Sequence, residues 1–282
     1  MSNTAKQIGE WYQEIATGLA ALAMTVVVFT GLRRFEQHAK LKFAIILSMP
    51  MEHKRLTLFA GHYGSGKTNI AVNYALLLAS EGKKVCIADL DIVNPYFRTK
   101  DSAEALQKAG VELISPQFAN SNVDLPALPA ESYRLVQDKS VYGIMDIGGD
   151  DRGAYALGRF TPAIRQEDDF RMVFVANCYR PLTRTPEEAL EVMREIEAAC
   201  GLQFTCIVNN SNLGPETTPE TVLESKAYIE KLCQLSGLPL FATTAEETVA
   251  EKLELPNVIS LRLQEKYFDL PSQKPGNRPL WA

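Results

Sequence analysis

The sequence predicts an α/β fold: a doubly wound, mostly parallel sheet with helices on both faces, preceded by an N-terminal hydrophobic helix. Three observations predict it. Short apolar runs rich in valine, isoleucine and phenylalanine alternate with helical patterns from Lys54 onward. Gly82, Gly110, Gly201 and Gly237 fall where the helical patterns should end. A glycine-rich loop joins the first apolar run to the first helical pattern. The chain has 282 residues, 46% hydrophobic and 22% charged, which is enough to bury the core of one large domain with an appendage.

Residues 1–50 form an N-terminal extension. Residues 15–32 carry no charge and reach the length needed to cross a bilayer. Arg33 and Arg34 follow at once, which would leave the C-terminal bulk in the cytoplasm, tethered to the inner face of the membrane. The alternative is that the native protein starts at Met51 and is cytoplasmic without a tether. Expression from Met51 separates the two readings: a soluble, active product with the mass of the native protein removes the anchor.

The strands are expected at residues 56–60, 85–88, 111–115, 142–145, 172–176, 204–208 and 240–243. Helices are expected at residues 68–80, 102–109, 186–199 and 219–235. Thr185, Pro186 and Glu188 sign the start of the third helix, with a cap, a first-turn proline and the second half of a capping box. The βα alternation requires crossovers and so a parallel sheet. Residues 269–282, rich in proline and polar side chains, read as an extended tail.

Net charge is −5, so the chain as a whole does not favour nucleic acid as a partner. The five cysteines form no C-x-x-C pair and read as buried thiols in a reducing compartment.

Gly61-His62-Tyr63-Gly64-Ser65-Gly66-Lys67-Thr68 fits G-x-x-x-x-G-K-[ST], with an apolar run before it and a helical pattern after it. Its glycines let backbone N–H groups converge on phosphate oxygens, and a helix N-terminus adds positive potential. Lys67 would bridge the outer phosphates, and Thr68 would offer its hydroxyl to Mg²⁺. Asp89 and Asp91 close the second strand, where alternation sends both to one side. One could hold the metal through water while the other orients a nucleophilic water. Asp146 ends a further strand, and the amides of Gly148 and Gly149 could approach a γ-phosphate.

On these residues, positions 56 to about 253 resemble the MinD/ParA/nitrogenase-iron-protein group of the SIMIBI class of P-loop NTPases, and the ADLDIVNPYFR run is similar to ATP-binding proteins labelled cobyrinic-acid-synthase-like. The resemblance implies a P-loop NTPase domain over residues 54–268. It makes D-x-D a first switch and Asp146–Gly149 a second. It makes Asp91 the water-activating residue beside Lys67, with Asp89 and Asp146 nearer the metal. The signature lysine of that group is replaced by His62, a shorter and mostly neutral side chain at pH 7, so a homodimer completed across the nucleotide loses its usual contact. The G-S-G-K-T ending is similar to metal-centre maturation GTPases, although no His-rich or Cys-rich segment accompanies it.

Residues 209–212 read N-N-S-N where guanine-specific relatives carry N-K-x-D. The bidentate carboxylate is missing, so ATP is favoured over GTP, with Asn209 bonding the purine. Three roles stay open. One is a Mg-dependent ATPase switch read by a partner protein through the region of Tyr96, Phe97 and Arg98. Another is a phosphoryl- or ligase-type transferase whose small-molecule acceptor meets Arg152, Arg159, Arg165 and Arg180, with residues 151–171 as a lid. The third is a sensor that binds ATP without turnover.

Overall fold

Eight strands, every neighbouring pair parallel, form one sheet in the order β3-β2-β4-β1-β5-β6-β7-β8. They are β1 (Leu56–Ala60), β2 (Val85–Leu90), β3 (Glu112–Ile114), β4 (Tyr142–Ile147), β5 (Phe170–Ala176), β6 (Cys206–Asn209), β7 (Leu240–Glu246) and β8 (Val258–Leu261). The computed structural model describes residues 52–90, 102–114, 130–149 and 151–263. The expectations for residues 1–51, Asp91, Tyr96, Phe97, Arg98 and the tail lie outside the described residues. No helix among the described residues is long and apolar enough to cross a membrane.

The chain leaves β1 for β2 and β3, returns to β4 beside β1, then crosses to β5 and winds outward the other way. The direction of winding therefore reverses around β1. At such a point the loops beyond the strands' C-terminal ends part, and a crevice opens there.

β1 and β2 are buried at every position, as strands covered on both faces must be. On one face Phe59, Ile87, Ile144, Val173 and Val208 meet Ile70, Tyr74, Ala75 and Leu78 of α1 (Lys67–Ser80) in a single cluster. The Tyr74 ring stands edge-on to Phe59 and Phe241, with centroids 5.7 and 6.3 Å away. The smaller helices α2 (Ala103–Lys108) and α3 (Arg134–Gln137) flank β3 and β4. On the other side α4 (Asp151–Gly158), α6 (Pro186–Cys200) and α8 (Lys226–Ser236) pack side by side. α5 (Thr161–Ile164), α7 (Pro219–Glu224) and α9 (Glu247–Ala250) are single turns between these elements.

The capping box at Thr185 is present. Glu188 N donates to Thr185 Oγ1 at 3.2 Å, and Thr185 N donates to Glu188 Oε2 at 3.0 Å. The structure departs from the expectations in several places, beginning with the short helices α3, α4, α5 and α9, which were not expected. β8 is an added edge strand. The helix expected over residues 219–235 is broken at Ser225, whose buried hydroxyl donates to Val222 O at 2.7 Å and accepts from Asn209 Nδ2 at 2.9 Å. The segment 151–171 is no lid. Leu157, Phe160 and Ile164 are fully buried, and Thr161 Oγ1 donates to Cys200 O at 2.6 Å, so apolar burial and a hydrogen bond hold it against α6.

Candidate functional site

The loop from Gly61 to Thr68 leaves the tip of β1 and becomes the first turn of α1. Its course requires residues without side chains. A Cβ on Gly61 would lie 2.6 Å from Val175 O on the neighbouring strand. Gly66 sits at φ 92, and a Cβ there would lie 2.2 Å from Asn210 Nδ2. Ser65 N donates to His62 O at 3.1 Å and closes the turn. Lys67 Nζ reaches back to the same carbonyl, also at 3.1 Å, so the ammonium lies over the loop with only 6% of the residue exposed. No side chain caps α1 at Gly66, and no acidic residue lies in its first turn. A helix N-terminus built this way favours an anion. Ser65 Oγ is buried without a hydrogen-bond partner among the described residues.

Asp89 and Asp146 are Cα partners on β2 and β4, and Asp146 is the partner of Phe59 on β1. In-register residues of parallel strands face the same side, here the side of Phe59 and α1. Both carboxylates are buried, Asp89 at 2% and Asp146 at 1% exposure. They end the rows of strand side chains beneath the helix whose first turn carries Lys67 and Thr68. Two carboxylates, one hydroxyl and phosphate oxygens are the donor set that Mg²⁺ takes, with water completing its octahedron. Among the described residues no group of three His, Cys, Asp or Glu side chains is placed to hold a metal without such help.

The loop after β4 lies on the phosphate loop. A Cβ on Gly149 would be 2.7 Å from Tyr63 N and Cα and 2.8 Å from Lys67 Nζ. A Cβ on Gly153, in α4, would be 2.6 Å from Gly148 Cα. Two backbones can approach this closely only where both glycines are kept.

The N-N-S-N run is divided by the strand. Asn209, assigned above to the purine, is 2% exposed and turned inward. Its Nδ2 donates to Ser225 Oγ and its Oδ1 accepts from Ser211 N at 3.2 Å. Asn210 faces the phosphate loop instead. Its Nδ2 donates to Ser65 O at 2.6 Å, and its Oδ1 accepts from Thr244 Oγ1 at 2.7 Å, with Thr244 in the C-terminal half of β7. Asn210 thus ties three strand ends together, a role that the sequence reading did not give it. Alternation was the usable signal: two adjacent residues at a strand tip point opposite ways, so only one of them can meet the loop. Asn210→Ala should leave the sheet intact and loosen the loop. We expect nucleotide affinity to fall about tenfold or more, by the loss of two buried hydrogen bonds to the site, as read by titration calorimetry. Asn212 is spent on its own turn, donating to Asn210 O at 2.7 Å and accepting from Gly214 N at 3.1 Å.

The three arginines whose side chains are described, Arg159, Arg165 and Arg180, do not form one wall. Arg165 Nη2 donates to Gly201 O at 2.6 Å, at the C-terminal end of α6. Arg159 follows α4, near that same end of the sheet, opposite the phosphate loop. The Arg152 side chain lies outside the described residues. Arg180 alone comes to the loop: a Cβ on Gly64 would be 3.9 Å from its Cδ and Nε.

A recess of about 480 Å³ opens beyond the tips of β6 and β7, between Gly214, Pro215 and Thr217 on one side and Glu246, Thr248 and Arg262 on the other. β6 and β7 are the second and third strands from β1, roughly 10–14 Å at the usual strand spacing. The Cys86, Cys206 and Cys233 thiols are buried, and burial pushes each up to about 12, consistent with inert core thiols.

The chain is similar in structure to cell division protein FtsY from Thermotoga maritima, with 15% identity, 69% of this chain and 62% of that one covered, and a TM-score of 0.46. It is also similar to the signal recognition particle 54 kDa protein from Aeropyrum pernix K1, solved in complex with GDP, with 16% identity, 70% and 43% covered, and a TM-score of 0.45. FtsY from Mycoplasma mycoides gives 14% identity, 69% and 60% covered, and a TM-score of 0.45. The chain spans less than two thirds of the length of each. These likenesses concern the fold. No protein-family model and no curated protein matches the sequence.

Proposed function

We propose that this protein is a magnesium-dependent P-loop ATPase of the SIMIBI class that works as a switch, its nucleotide state being read by a partner protein. One observation carries the reading: Gly149, just past the carboxylate-bearing tip of β4, rests on the phosphate loop beside Lys67 Nζ. A loop in that position senses whether the outer phosphate is present, because the same ammonium serves both.

When bound, magnesium triphosphate supplies a phosphoanhydride bond that water can cleave to diphosphate and phosphate. The chain's own residues do the rest. The amides of residues 64–68 hold the phosphates, Lys67 neutralises their outer charge, and Thr68, Asp89 and Asp146 organise the cation shell. Asp91 orients the attacking water. The Gly148 and Gly149 amides follow the terminal phosphate and carry its presence into α4. The N-N-S-N run 209–212 carries no carboxylate where guanine-specific proteins carry an aspartate, and Asn209 and Asn212 are both bonded internally, which favours ATP. The transferase reading draws less support, because Leu157, Phe160 and Ile164 of its lid segment are buried and the described arginines Arg159, Arg165 and Arg180 are apart. The metal-maturation reading lacks a metal-loading cluster among the described residues.

Titration with magnesium ATP and magnesium GTP tests this. We expect ATP to bind more tightly, Lys67→Ala to abolish binding, and Asp91→Ala to keep binding and stop turnover. A GTP preference above about tenfold would overturn the ATP assignment. Turnover should be slow alone and rise with a partner. Labelled phosphate or adenylate found on a metabolite would point to the transferase instead.

A further inference from the structure

The geometry points to Arg180 as the cis-acting cation that reads the outer phosphate of the bound triphosphate, standing in for the lysine that the phosphate loop lacks at His62. The inference rests on the nucleotide reading and adds a residue which that reading does not need.

β5 lies next to β1, in register from Leu56↔Phe170 to Ala60↔Phe174, and runs on past the point where β1 turns into the loop. The turn after it, residues 177–183, therefore stands beside the phosphate loop. That turn is held from several sides. Asn177 is fully buried, and its carbonyl accepts from Arg180 N at 3.2 Å and from Thr183 Oγ1 at 2.8 Å. Its Oδ1 accepts from Tyr179 N at 3.0 Å. Cys178 N donates to Ser211 Oγ at 3.2 Å, and Tyr179 OH donates to Thr221 O at 2.9 Å. Arg180 is thus presented by a pinned turn.

Its stem passes Gly64, with Cδ and Nε each 3.9 Å from where a Cβ would be. Its Nε is shielded from water and has no hydrogen-bond partner among the described residues, and no carboxylate among them pairs with the guanidinium. A buried N–H of a half-buried guanidinium without a partner costs free energy unless an acceptor such as an anion arrives. The loop beside it is built to bring one. Ser65 Oγ, 1% exposed and also without a partner, lies within the same loop. Arginine suits the task because its planar fork matches phosphate oxygens two at a time. His62 is shorter than a lysine, and its Nδ1 lies 3.0 Å from Tyr63 O.

The test compares affinities for the β,γ-imido triphosphates of adenosine and guanosine with those for the matching diphosphates, in full-length wild type and Arg180→Ala, with magnesium. We expect Arg180→Ala to lose triphosphate affinity by about ten- to a hundredfold, the worth of charged hydrogen bonds, with diphosphate affinity nearly unchanged. Trapping by aluminium fluoride with the diphosphate should fall in parallel. Arg180→Lys keeps the stem beside Gly64 and the charge but not the fork, so it should recover part of the loss and serves the same comparison if the alanine variant folds poorly. Equal loss of both nucleotide classes, or no loss, overturns the assignment while leaving the nucleotide reading standing. A wild type that takes up neither nucleotide overturns both.

Discussion

Gly66→Ala should abolish nucleotide uptake while leaving the sheet folded. Gly66 is at φ 92, a conformation that costs an L-residue roughly 1–2 kcal/mol. The larger effect is steric. The new methyl would sit 2.2 Å from Asn210 Nδ2, and Asn210 can retreat only by giving up Ser65 O and Thr244 Oγ1. Either the first turn of α1 shifts or the tie to β6 and β7 breaks. Both outcomes spoil the convergence of amides on the phosphates, and a shift of this size in a positioned site costs on the order of a hundredfold. Calorimetry with magnesium ATP should therefore show affinity reduced by about that factor or more. Gly64→Ala is the internal comparison. Gly64 also has positive φ, 74, but its nearest neighbours are 3.9 Å away on the Arg180 side chain, so backbone strain acts almost alone and the loss should be several-fold smaller. Equal effects at the two glycines would show that Asn210 does not hold the loop.

The contrast between these glycines also marks what could be read from the sequence. The strand–loop–helix unit at residues 56–80 was legible because three independent signals coincide there: a buried apolar run, a spaced glycine loop ending in Lys-Thr, and a helical period. That Asp89 and Asp146 end strands could be read from the sequence, but their in-register pairing on β2 and β4 could not, because strand order and register depend on long-range contacts. Asn210 was not legible as the tie, because propensity is blind to which of two neighbouring asparagines points to which face. β8 was missed because four residues with one exposed serine make a weak pattern; it is ordered by lying against β7, a contact far away in the chain. The break at Ser225 has the same character, since the buried partner that draws its hydroxyl is Asn209, 16 residues earlier. Residues 151–171 misled for the opposite reason. Their arginines suggest a mobile lid, yet the side chains of Leu157, Phe160 and Ile164 are wholly buried.

Arg55→Ala should destabilise the domain by about 3–5 kcal/mol, the usual penalty for removing one partner of a buried ion pair, here with three carbonyls losing the same donor. Arg55 opens β1 at the sheet edge opposite the phosphate loop and is 7% exposed. Its Nη1 donates to Leu135 O at 2.9 Å, Val141 O at 3.3 Å and Asp138 O at 3.4 Å, which fastens the connection from α3 into β4. Its Nε and Nη2 donate to Glu167 Oε2 at 3.0 and 2.5 Å, fastening the connection from α5 into β5. Lys139 pairs with the same carboxylate. Three strands are thus set in place at their starts by one side chain, and the alanine variant takes a donor from three carbonyls and leaves the buried carboxylate with Lys139 as its remaining cation. A fall in melting temperature of roughly 6–20 °C is expected from 2–4 °C per kcal/mol for a domain of this size. The pH dependence separates this account from simple loss of packing. Burial alone would raise the Glu167 carboxyl, but the hydrogen bonds and charges of Arg55 and Lys139 outweigh it and hold the group below the usual carboxylate range. A depressed folded-state pKa contributes stability that is complete above the unfolded value and is lost as pH falls through the folded one. Wild-type stability should therefore drop on acidification below the ordinary carboxylate range, and Arg55→Ala should show less of that drop. In the double variant Arg55→Ala/Glu167→Gln part of the stability should return, because the buried charge goes with its partner. Additive losses across that cycle would mean that the two side chains do not act as a pair.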